Sequence, residues 1–69
     1  MADPRLAVKL KAVRTAAGLT QQELADRAGL SRKTVNTVEN EVFTPSVLVA
    51  LTLARALGVP LDALFTLED

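Results

Sequence analysis

The sequence predicts an all-α fold, five short helices in one domain spanning residues 1–69. Three observations carry this. Apolar residues recur at three- and four-residue spacing along the chain, and no segment sustains the alternation of a strand. Helix-start signals precede the periodic segments. Gly18, Gly29 and Gly58 stand where three of those segments stop.

Asp3 followed by Pro4 marks the first start, because proline suits a first helical position where no N–H is required. Leu6, Leu10, Val13 and Ala17 then form one apolar stripe, giving a helix over about 4–17 that ends at Gly18. Thr20, with Glu23 three residues on, has the form of a capping box and opens a second helix over about 20–28. Gly29 stops it, and Ser31 caps a third over about 31–40. Thr44 and Pro45 open a fourth over about 45–57, closed by Gly58. In it Val47, Leu51 and Ala54 follow the core spacing, as do Leu53 and Leu57. Pro60 opens a short fifth, about 60–65. Phe43 and Phe65 are expected to plug the core.

Composition excludes most chemistry. The chain has no cysteine and no histidine, so a disulfide framework, a thiolate metal site and a histidine-activated nucleophile are all ruled out. Glu39 and Glu41 point to different sides of a helix end, and no glycine-rich phosphate loop exists. An enzyme is not expected, nor a metal or cofactor. No apolar run approaches the roughly 18 residues of a membrane span, and the N-terminus lacks a signal peptide's apolar stretch. The expectation is a cytoplasmic protein with no membrane contact. Four residues follow Phe65, so no effector domain is expected.

Net charge is zero but unevenly spread. Residues 1–33 hold seven basic groups (Arg5, Lys9, Lys11, Arg14, Arg27, Arg32, Lys33) against three acidic ones. Residues 34–69 hold one basic group against five acidic. Such a molecule can turn a basic face to a polyanion while staying neutral overall.

The second and third helices are joined only through Ala28-Gly29-Leu30, and so brief a link makes them cross steeply as a helix-turn-helix. At about 100° per residue, Arg32, Lys33, Asn36, Thr37 and Asn40 gather on one side of the third helix. Val35 and Val38 fall on the other. One side packs inward; the other offers long donors and amides, the groups that read base edges in a major groove.

The stretch "LTQQELADRAGLSRKTVNTVENEVFTPSVLVALTLARALGVPLDALF" resembles the helix-turn-helix domain of the lambda-repressor-like, Cro/Xre family. The resemblance is close over residues 19–65 and looser in the first helix. Its marks are "LTQ-x-ELA", "AG-L-S", "T-V…V-E-N", "P-S" and "A-x-ALGV-x-LD-x-LF", in order and at the right spacing. It implies a five-helix bundle that binds a two-fold operator in double-stranded DNA as a homodimer and regulates transcription, with repression the expected sign. By the same resemblance, Arg32, Lys33, Asn36 and Thr37 match base-facing positions. Gln21, Ser31 and Asn40 match contacts to the DNA backbone. Arg14 and Glu39 match a buried ion pair, and Ala25 matches the small residue that lets the two helices approach. Glu41 and Val42 depart from the family, which often has glycine and a basic residue there.

Leu48 lies outside the core stripes of the fourth helix, with Thr52 one turn on. Leu61, Leu64 and Leu67 add more apolar surface than a chain of this size readily hides. These five are expected in a homodimer interface. The apolar excess also leaves open a second role, an antitoxin or interaction module that masks a regulatory protein partner.

Overall fold

The computed structural model describes residues 3–68. Its order is strand β1 (Leu6–Val8), helices α1 (Leu10–Ala16), α2 (Gln21–Ala28), α3 (Arg32–Glu39) and α4 (Val47–Leu57), a 3-10 turn (Leu61–Ala63), and strand β2 (Phe65–Leu67). The fold is therefore mostly helical, with four α-helices and a small sheet in place of five helices alone.

Both corrections lie at the chain ends. The Asp3 carboxylate accepts the Arg5 backbone N–H at 2.9 Å and grips its guanidinium at 2.8 Å, so the chain turns where a helix was expected to start. Leu6, Ala7 and Val8 then run extended and antiparallel to β2, opposite Leu67, Thr66 and Phe65. Lys9 N–H donates to the Leu64 carbonyl at 2.7 Å, which carries the pairing into α1. The expected fifth helix is a single 3-10 turn, after which Phe65-Thr66-Leu67 takes the extended form that aromatic and β-branched residues favour. Three residues are too few to show a period, and their partner is at the other end of the chain.

Leu10, Leu24, Val35, Val38, Leu53 and Leu64 are fully enclosed. Each such side chain contributes roughly 1.5–3 kcal/mol relative to exposure. Ala25 is equally buried, and its small side chain lets α2 pack close to its neighbours. Leu64 is thus a core residue of the protomer and is not available to an interface. In α4 the inward stripe is Ala50, Leu53 and Ala54, while Val47 is 73% exposed and Leu51 50%. Val47 and Leu51 lie one turn apart, to one side of that stripe. Ser46, not Thr44, caps the helix by accepting the Val49 N–H at 3.1 Å. Phe43 is exposed, whereas Phe65 packs on the core.

All four helices end alike. After α2, Leu30 N–H donates to the Ala25 carbonyl and Gly29 N–H to that of Asp26, with Gly29 left-handed at φ 68°. Gly18 and Gly58 fill the same place after α1 and α4. After α3 the paired bonds run from Val42 to Thr37 and from Glu41 to Val38, and the left-handed residue is Glu41, φ 55°.

Candidate nucleic-acid interface

The second helix begins as its sequence requires. Thr20 Oγ1 accepts the Glu23 N–H at 3.0 Å, and the Glu23 carboxylate accepts the Thr20 N–H at 2.9 Å. That backbone N–H, joined by the Thr20 hydroxyl, holds the Glu23 carboxyl below the usual range. α3 begins on Ser31, whose hydroxyl accepts the Thr34 N–H at 3.1 Å and also meets the Thr34 hydroxyl at 2.8 Å. Val35 and Val38 point into the core, so the opposite side of α3 faces outward.

That outward side carries a groove of about 490 Å³ lined by Arg32, Lys33, Asn36 and Thr37. Arg32 and Lys33 are exposed; Asn36 and Thr37 are partly buried. Thr37 donates its hydroxyl to the Thr34 carbonyl at 3.0 Å. Asn36 and Asn40 are joined amide to amide along the helix. A second groove, about 500 Å³, is lined by Arg14, Thr20, Gln21, Gln22 and Arg32. Arg32 borders both, so the start of α2 and the outer face of α3 form one concave polar surface whose exposed cations are Arg32 and Lys33.

Beneath this surface Arg14 and Glu39 pair. The guanidinium Nε meets Glu39 Oε2 at 2.6 Å, Nη2 meets Oε1 at 3.2 Å, and Nη1 donates to the Leu19 carbonyl at 2.7 Å. Their side chains are 10% and 2% exposed. Its hydrogen bonds to the Glu39 carboxylate hold the Arg14 guanidinium above its usual range, against the cost of burial. One contact goes beyond what the sequence suggests: Gln21 Nε2 donates to Glu39 Oε1 at 3.0 Å. Gln21 and Glu39 lie on different helices at a separation that no periodicity registers.

The residues expected at an interface between copies lie apart from this surface, on α4 and the C-terminal segment. Leu48 is 76% exposed and Leu67 77%, with Leu61 less so and Thr52 partly buried. Leu48, Leu51, Thr52 and Arg55 line a shallow groove of about 230 Å³. Among the described residues no group of acids could hold a metal ion, and no helix is long and apolar enough to cross a membrane.

A family model described as Helix-turn-helix matches residues 10–64. An uncharacterized HTH-type transcriptional regulator of Methanocaldococcus jannaschii is 38% identical over 61 residues, covering 88% of this chain and 92% of that protein. The immunity repressor protein of Bacillus phage phi105 is 36% identical over 56 residues, 81% of this chain and 39% of that protein. The crystal structure of the restriction-modification controller protein C.AhdI from Aeromonas hydrophila is 39% identical with a TM-score of 0.76, covering 78% of this chain and 82% of that one. The matched residues include the capped α2, the glycine turn and the α3 with one buried and one polar face, and the chain belongs to the lambda-repressor-like, Cro/Xre helix-turn-helix family of transcriptional regulators.

Proposed function

We propose that the chain represses transcription by binding a two-fold operator as a homodimer, with α3 in the major groove. The observation that carries this is the continuous concave surface on which Arg32 borders both grooves. α3 has eight residues, about 12 Å of helix, close to the width of a major groove. Arg32 and Lys33, at its leading end, are the deepest base readers, with Asn36 and Thr37 one turn behind. Gln21, Ser31 and Asn40 border them and take phosphates, which position the protein without specifying sequence. Similarity to the phage immunity repressor supports repression. The exposed Leu48, Leu61 and Leu67, with the partly buried Thr52, are the surface for the second copy. Action on genomic DNA implies a cytoplasmic location.

Selection from a random duplex library, followed by anisotropy titration of the enriched sequence, tests the reading. The expected product is an inverted repeat bound at two protomers per duplex. A library that yields no enriched sequence would overturn it.

A further inference from the structure

The contact between Gln21 and Glu39 joins the buried ion pair to the polar surface, and it has a direction. An ionised carboxylate only accepts hydrogen bonds, so Gln21 must turn its amide nitrogen, not its oxygen, toward Glu39. One N–H is committed there; the second N–H and the carbonyl oxygen remain for the groove that Gln21 lines. Glu39 itself is 2% exposed and cannot reach a ligand. It is also fixed, since Arg14 holds both its oxygens and is anchored in turn on the Leu19 carbonyl.

We infer that Glu39 is a positioning residue for DNA, acting through Gln21, an inference that rests on the DNA-binding reading above. The ion pair orders the Gln21 amide in the free protein, with an N–H presented outward. Rotamer freedom is then lost on folding and not on binding, which favours the complex. Glu39→Gln removes this acceptor: its single amide oxygen is taken by the guanidinium, so the Gln21 N–H loses the oxygen that fixes it and the side chain loses its order in the free protein.

The test is a double-mutant cycle of Gln21→Ala and Glu39→Gln, titrated at low temperature on a duplex selected by the wild type, with circular dichroism to monitor folding. Alone, Gln21→Ala is expected to weaken binding about tenfold, and in the Glu39→Gln background by less than about twofold. Because the cycle subtracts each single change, removing an acid near phosphates does not mimic this coupling. If Glu39→Gln does not fold, relaxation of the Gln21 side-chain NH₂ in the free wild type decides. An amide as rigid as the backbone supports the inference; a freely mobile one overturns it. Two independent losses that simply multiply would also overturn it while leaving DNA binding intact. A wild type that selects no duplex would remove the DNA reading itself, and the positioning role with it.

Discussion

Arg14 of α1 and Glu39 of α3 meet fork to carboxylate, and between them they tie three elements together. The same guanidinium that holds both oxygens of Glu39 also closes the link before α2 through the Leu19 carbonyl. Among the described residues no buried side-chain nitrogen or oxygen lacks a partner, so the desolvation of both charges is compensated. Removing one charge strands the other. Glu39→Gln is expected to cost about 3–5 kcal/mol, a large share of what so small a domain has. Urea denaturation of the two proteins measures it, and a midpoint close to wild type would show that the pair contributes little.

The capping box of α2 gives a pH dependence whose sign follows from Glu23. Its folded carboxyl lies below the ordinary 4.5, so the folded state binds fewer protons than the unfolded chain as pH falls. The stabilisation is complete above pH 4.5 and is lost as pH falls through the lowered folded value. Glu23→Gln keeps an oxygen for the Thr20 N–H but cannot titrate. Its denaturation midpoint should fall less steeply in acid than that of wild type. Parallel curves would contradict the assignment. Asp3, also lowered by Arg5, supplies part of the acid sensitivity that remains.

These helices were readable because their signals are local. Thr20 with Glu23, Ser31, Gly29 and Gly58 each act within one turn, and the sequence names them directly. The polar face of α3 was equally legible, since Val35 and Val38 fix which way it turns. The sheet was not. Leu6-Ala7-Val8 fits a helical stripe as well as a strand, and its pairing with Phe65-Thr66-Leu67 is visible only once the ends meet. Leu64 is assigned to an interface on a different ground, that three C-terminal leucines exceed what so short a chain hides; the 3-10 turn instead sends Leu64 into the core and leaves Leu61 and Leu67 exposed. At the site, the Arg14–Glu39 pair came from family resemblance, while the Gln21–Glu39 bond needed the packed structure.

Glu41 is the one described non-glycine residue in left-handed conformation, at a helix end where the other three helices use glycine. A side chain there meets its own carbonyl, a cost that glycine does not have. Glu41→Gly is expected to stabilise the protein by about 0.5–1 kcal/mol, net of the freedom glycine gains when unfolded. Glu41→Ala removes the same charge without relieving the backbone and serves as the control. Equal melting temperatures for the two variants would place the effect in charge, not conformation.

Leu48 makes the homodimer testable. It is 76% exposed beside Leu51, Thr52 and Arg55, so a charge there should not disturb the protomer by more than about 0.5 kcal/mol. Leu48→Glu should nevertheless sediment as a monomer where wild type sediments as a dimer. Two-fold pairing would set the reading helices about 34 Å apart, one turn of DNA, so the variant should also lose affinity for a full operator more than for a half-site. A wild type that is monomeric at micromolar concentration, with and without operator, would remove this surface from the mechanism.

Arg32 and Gln21 line one groove, yet their losses should differ in kind. Arg32 is exposed at the leading end of α3, and its planar fork suits the two acceptors of a guanine. Arg32→Ala is expected to cost about 1–3 kcal/mol on the selected operator and to relax preference at one base pair per half-site. Gln21→Ala should weaken every operator by a similar factor, because a phosphate contact carries no base information. Lys33 is decided by the same measurement: as a phosphate contact, its removal would flatten the salt dependence by about one charge and leave preference unchanged. Titration of each variant against a panel of single-base operator changes at two salt concentrations separates these outcomes. Should Arg32→Ala lower affinity evenly across the panel, Arg32 is a backbone clamp. Base reading would then fall to Asn36 and Thr37, whose partly buried side chains lie one turn further along the same groove.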